Sequence, residues 1–223
     1  MSPTDAPNHI AHRGFADDYP ENTPLAFERA ADSADAIEMD VQRCGSGELV
    51  VFHDAKLGRL TNEHGLVQDT PWSVLRGLSI QGSDETVPSL ETALDAVPAG
   101  TAINLELKHV GMADRVLDAV GAVENEILLS SFDSRVLRNL RERDADVRLA
   151  YINQRGPNCI DTAVDLDCAC VHPRADLCDA SFVARAHEAG LTVNSWTVDD
   201  EEGAATLAEA GVDGIVSDTS AVF

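Results

Sequence analysis

Short apolar runs recur along the chain with amphipathic stretches between them. Extended runs fall at 9–13, 36–42, 102–108, 127–132, 147–152, 168–173, 191–197 and 213–217, and from the third onward they begin every 20–25 residues. That interval suits a strand, a loop, a helix and a loop. Pro24 follows Thr23, a helix-capping residue, and Ser89 caps a second apolar-periodic stretch. Further helices are predicted over 111–123, 134–143, 180–189 and 200–210, with Gly190 and Gly211 where two of them should stop.

Eight strands with helices between them predict a (β/α)8 TIM barrel rather than an open doubly wound sheet. The open sheet normally carries a glycine-rich phosphate loop after its first strand, and this sequence has none. One interval breaks the rhythm, because about 60 residues separate the second and third barrel strands. Within it, Cys44-Gly-Ser-Gly47 divides two extended runs and predicts a hairpin. A turn centred on Gly45 and Ser46 would set Glu38 opposite His53 and Asp40 opposite Val51. Residues 55–88, with Gly58, Gly65, Pro71, Gly77 and Gly82, read as an irregular excursion. The prior of roughly 150 residues per domain leaves residues 1–223 as a single barrel domain.

Composition narrows the setting. Of the 223 residues, 39 are Asp or Glu and 16 are Lys or Arg, a net charge of −23, and only two of the cations, Lys56 and Lys108, are lysines. A chain so acidic lacks the basic footprint of a nucleic-acid or anionic-membrane binder. Many Asp with almost no Lys is similar to the composition of extreme halophiles, whose molar internal salt shortens the Debye length to about 3 Å. The opening segment has neither a basic stretch nor an apolar one, and no run reaches membrane-spanning length, so the expected location is cytoplasmic. Five cysteines, an odd number, argue against a disulfide framework. Cys168, Cys170 and His172 sit in an alternating apolar run and are expected as buried strand residues rather than zinc ligands.

Charged residues inside barrel strands call for a reason. Glu38 and Asp40 are two apart on one strand and share a face, and alternation in the next barrel strand puts Asn104, Glu106 and Lys108 together. Three converging carboxylates repel one another unless a hard divalent cation, Mg²⁺ or Ca²⁺, lies between them. His12 ends the first strand and His53 ends the hairpin, where a barrel places acid–base chemistry. His9, His64, His109, His172 and His187 are expected to be structural, with His172, also at a strand end, the nearest to an exception.

These residues carry a resemblance. His12-Arg13-Gly14, Glu21-Asn22-Thr23, Glu38-Met-Asp40, His53-Asp54, Glu106-Leu-Lys108, Ser131-Phe132, Trp196-Thr-Val and Gly211-Val-Asp-Gly-Ile-Val-Ser-Asp218 follow one another in order. The set resembles the glycerophosphodiester phosphodiesterase family, over about residues 9 to 219. The resemblance implies a TIM barrel that hydrolyses glycerophosphodiesters, small-molecule substrates, to glycerol phosphate and an alcohol with a divalent cation. It implies Glu38, Asp40 and Glu106 as metal ligands with Glu21 as a fourth candidate, and His12 and His53 as acid and base. Arg13, Lys108 and Asn22 would bind phosphate, and Trp196 would wall the pocket. A sibling activity on lysophospholipids or other phosphodiesters, and a silent phosphate-binding barrel, are the competing expectations.

Overall fold

In the computed structural model, which describes residues 6–154, 156 and 158–223, eight strands run parallel. They are β1 (Asn8–Ala11), β2 (Ala36–Arg43), β4 (Ala102–Leu107), β5 (Ile127–Ser131), β6 (Leu149–Asn153), β7 (Cys170–Pro173), β8 (Thr192–Ser195) and β9 (Gly214–Ser217). Each pairs with the next, and β1 pairs with both β9 and β2, which closes the sheet into a (β/α)8 TIM barrel. Strand β3 (Leu49–Val51) lies antiparallel on β2 as the return arm of the hairpin. Residues such as Ile37, Met39, Leu105, Leu129 and Val193 are buried in a single large core cluster.

The helices are α1 (Pro24–Ala30), α2 (Trp72–Leu75), α3 (Leu90–Asp95), α4 (Ala113–Val120), α5 (Ser134–Arg141), α6 (Cys159–Asp165), α7 (Ala180–Glu188) and α8 (Glu201–Ala210). Part of the acidic composition is spent on starting them. Asp133, Asp179 and Asp200 accept from backbone N–H groups at 2.9, 2.8 and 2.7 Å, where a carboxylate also meets the positive end of the helix. Thr23 and Ser89 cap α1 and α3 as expected. All five cysteines are free and buried.

Three local expectations need correction. The first strand ends at Ala11, and His12–Gly14 form a tight 3-10 turn instead of continuing it. Helix α6 is absent from the sequence reading, because its seven residues span only about two turns and follow a Gly-Pro-containing segment. The hairpin register is also one residue off: Val41 faces Val51 and Gln42 faces Val50, so Asp40 does not oppose Val51. The turn spans three residues rather than two. The Gly47 N–H donates to the Cys44 carbonyl, and Gly47 takes φ +102, which closes a longer loop with a left-handed final residue. A one-residue slip exchanges the faces of a strand, so this detail matters for the site.

The excursion has its own small core, in which Leu57, Leu60, Val67, Leu75, Ile80 and Val87 pack with Cys44, Val50 and Phe52 of the hairpin. It is seated against the turn at Gly45, whose N–H donates to the Thr70 carbonyl at 2.8 Å.

Candidate active site

The turn after β1 aims the first pair of functional side chains. Arg13, Gly14 and Phe15 take φ values of +52, +78 and +65, reversing the chain over the carboxyl ends of the strands. Gly14 is required there by space as well as by φ, since a Cβ would lie 2.7 Å from Ala26 Cβ. The Arg13 N–H donates to Glu38 Oε2 at 3.0 Å, so the turn is anchored to the next strand.

In-register parallel pairing of β2 with β4 sets Glu38 beside Asn104 and Asp40 beside Glu106. Glu38, Asp40 and Glu106 are all buried, and one carboxylate oxygen from each lies within 4.8 Å of the others. Lys108 Nζ lies 2.6 Å from Asp40 Oδ1 and contacts Glu106, and Arg13 Nε lies 3.3 Å from Asp40 Oδ2. Burial raises the pKa of Asp40, but Lys108 and Arg13 outweigh it and hold the group below the usual range. Burial and the Asp40 charge push Glu38 and Glu106 upward, the sign of a carboxylate cluster short of positive charge. Asp40 Oδ1 accepts no aligned hydrogen bond despite its burial. Three buried, converging carboxylates, one of whose oxygens lacks an aligned hydrogen bond, offer the all-oxygen ligand set that a hard divalent ion takes.

Each candidate catalytic histidine is held by a carboxylate. His12 Nδ1 lies 2.6 Å from Asp218 Oδ1, and His53 Nδ1 lies 2.6 Å from Asp54 Oδ1, which leaves Nε2 of each ring to the cleft. Burial disfavours the His12 imidazolium, but Asp218 and Glu38 outweigh it and raise the pKa. At His53 burial outweighs the Asp40 charge, and the pKa falls. Asp54 is itself gripped by Arg59, whose hydrogen bonds push its pKa down to about 2.

His12, Arg13, Glu38, His53 and Glu106 line a cavity of about 130 Å³, with Phe132 and Trp196 also on its wall. The two aromatic rings meet edge to face at 5.5 Å, and Trp196 Nε1 donates to the His172 carbonyl at 2.8 Å. His172 and Asn104 line the same cavity. Glu21 lies outside the three-carboxylate group, where its oxygens accept from Arg13 and Arg59. Asn22 Nδ2 donates to Asp40 Oδ2 at 2.8 Å, and its Oδ1 accepts from the Asp40 N–H, so it orients that carboxylate.

Sequence reasoning passed over four residues. Asp218 follows β9 directly, so its place at a strand end was the available signal. Asp54 was read only as part of its motif. Gln42 is buried in β2, and its Nε2 reaches the carbonyls of Phe52, His53 and Asp54 at 2.6, 3.1 and 2.8 Å, gripping the loop that carries His53. Arg59 lay within a segment that showed no periodicity.

An acid-lined cleft at the carboxyl mouth of a closed parallel barrel defines a barrel enzyme. The profile of the Glycerophosphoryl diester phosphodiesterase family matches residues 12–222, and the chain belongs to that family. A glycerophosphodiester phosphodiesterase of Bacillus altitudinis is 33% identical, over 94% of this chain and 93% of that protein. A glycerophosphodiester phosphodiesterase of Caldanaerobacter subterraneus subsp. tengcongensis is 29% identical over the same shares of the two chains. Among solved structures, an Oleispira antarctica phosphodiesterase in complex with the product sn-glycerol-3-phosphate superposes with a TM-score of 0.91 at 28% identity, covering 97% of this chain and 95% of that one. The chain is thus a phosphodiester hydrolase. No helix among the described residues is long and apolar enough to cross a membrane.

Proposed function

We propose that the chain hydrolyses glycerophosphodiesters to glycerol phosphate and an alcohol by paired histidine catalysis, with a divalent cation, Mg²⁺ or Ca²⁺, held by Glu38, Asp40 and Glu106. The observation that carries this reading is the pair of His–carboxylate contacts, His12–Asp218 and His53–Asp54, on one cavity shared with Glu38 and Glu106. The relative in complex with sn-glycerol-3-phosphate supports glycerol phosphate as the retained product.

A phosphodiester resists attack because its anionic oxygens repel nucleophiles and its alkoxide is a poor leaving group. Glu38, Asp40 and Glu106 would hold the cation, whose positive charge would offset the negative charge that builds on the phosphate oxygens in the transition state. Arg13, on the cavity wall, and Lys108, beside Asp40 and Glu106, add theirs. The glycerol hydroxyl next to the phosphoester is tethered near phosphorus, which can replace up to about 7–11 kcal/mol of activation free energy in ideal cases. One histidine takes the proton of that hydroxyl as its oxygen bonds to phosphorus. The other gives a proton to the departing alkoxide as the P–O bond breaks, leaving a five-membered cyclic phosphate. In the second half-reaction the two exchange roles: water loses a proton to one, attacks phosphorus, and the ring oxygen is protonated by the other. Asp218 and Asp54 hold Nδ1 of each ring and keep Nε2 in the cleft.

The same reading takes the chain as one catalytic domain in the cytoplasm of a cell with concentrated internal salt. It is supported by the pairing of the first barrel strand with the last and by the lysine-poor acidic composition. The test is turnover of glycerophosphocholine and glycerophosphoglycerol, read as glycerol phosphate released. His12→Ala and His53→Ala should each lower kcat by about 10²–10⁴ while the far-UV circular dichroism is retained. Wild-type turnover in either folded variant removes that histidine from the mechanism.

A further inference from the structure

Beyond the histidines and their own carboxylates, one guanidinium ties together side chains from three parts of the chain. Arg59 Nε donates to Asp54 Oδ2 at 2.7 Å, and NH2 donates to Asp54 Oδ1 at 3.0 Å. NH1 and NH2 also donate to Glu21 Oε2 and Oε1 at 2.6 and 2.8 Å, a second two-pronged contact. Each carboxylate then passes the constraint on. Asp54 Oδ1 meets His53 Nδ1 at 2.6 Å. Glu21 Oε1 accepts from Arg13 NH1 at 3.1 Å, and Arg13 Nε lies 3.3 Å from Asp40 Oδ2. The path His53–Asp54–Arg59–Glu21–Arg13–Asp40 therefore runs from an acid–base group to a phosphate-binding group and a carboxylate of the metal cluster, its last link an ion pair rather than an aligned hydrogen bond.

We infer that Arg59 is a positioning residue for the hydrolysis, aligning His53 through Asp54 and Arg13 through Glu21 at the same time. This rests on the catalytic reading of His53 and Arg13 given above. Only a planar fork serves such a bridge, because its donors match two carboxylates in fixed directions, whereas an ammonium is a point charge. The backbone supporting the fork is itself pinned. Arg59 ends a 3-10 turn at Leu57–Arg59, and the flanking Leu57 and Leu60 are buried in the excursion's own small core. The Leu57 N–H donates to the Gly65 carbonyl at 3.1 Å. On this view the excursion is part of the catalytic apparatus, since docking it delivers the group that orients two active-site side chains.

The test compares Arg59→Gln, Arg59→Lys, Asp54→Asn and the Asp54→Asn/Arg59→Gln double variant, with Arg76→Gln as a control on the same excursion. Arg59→Gln should lower kcat by about 10²-fold, the scale of a misplacement near 1 Å. Arg59→Lys keeps the charge but loses the fork, and should stay about 10-fold below wild type with an unchanged melting temperature. The double variant should fall within about 3-fold of the worse single variant, since both changes break one path. Arg76→Gln should keep wild-type kcat. Folded Arg59→Lys with wild-type kcat, or costs that multiply in the double variant, overturn the inference. Should Arg59→Gln not fold, the lysine variant decides alone. His53→Ala reports separately on the underlying reading: an active His53→Ala removes that reading, whereas an inactive one beside wild-type Arg59→Lys removes only the role of Arg59.

Discussion

Lowering the pH should weaken this fold through one buried histidine. His172 sits in β7 and is 2% exposed, and burial alone pushes its pKa down from 6.5 to about 4. Its Nε2 is 3.2 Å from the Asn194 amide nitrogen. An amide N–H can donate only to an unprotonated ring nitrogen, so the contact belongs to the neutral tautomer with the proton on Nδ1. The folded pKa is below the unfolded one, so the unfolded chain binds the extra proton first. Stability from this group is therefore complete above about pH 6.5 and is lost as pH falls toward 4. At about 1.4 kcal/mol per pH unit the full gap is worth about 3 kcal/mol, of which about 2.5 kcal/mol is expressed by pH 4.5. For a domain of this length that corresponds to a drop of roughly 5–10 °C in Tm. The assay is urea unfolding of wild type and His172→Gln at pH 7.5 and 4.5. Carboxylate titration is common to both proteins, so the difference between their two pH slopes isolates His172. Equal slopes in the two proteins would refute the reasoning.

Gly14→Ala should cost about 2–5 kcal/mol in urea unfolding, combining a left-handed φ with a Cβ forced against Ala26, and a loss under about 0.5 kcal/mol would contradict that packing. Ca²⁺ or Mg²⁺ added at about 100 times its Kd should stabilise metal-stripped wild type by about 2.7 kcal/mol, read as a rise in Tm, and Glu106→Gln should lose most of that rise. An unmoved wild-type Tm with both ions would count against the carboxylate cluster as a cation site.

Much of the site was legible because its residues sit on regular strands. A period of two put Glu38 with Asp40, and Glu106 with Lys108, on shared faces before any pairing was known. The helix caps at Thr23 and Ser89 were equally local, each set by the conformation of a few neighbouring residues. Arg59 was invisible for the opposite reason. Its partners Glu21 and Asp54 are 38 and 5 residues away, and no periodicity in the excursion indicates which way its side chain turns. Asp218 lies 206 residues from His12, and only closure of β9 onto β1 makes them neighbours.

The sequence by itself thus determined the alternation of strands and helices, the barrel, the acidic character and the face each strand carboxylate occupies, because these follow from short-range sterics and side-chain periodicity. The tertiary structure alone decided the register of the hairpin, the carboxylates that hold the two histidines, and the opposite directions in which burial and neighbouring charge move their pKa values. Those depend on distances between segments far apart in the chain, where a one-residue slip or a few ångströms changes the chemistry and leaves the sequence pattern the same.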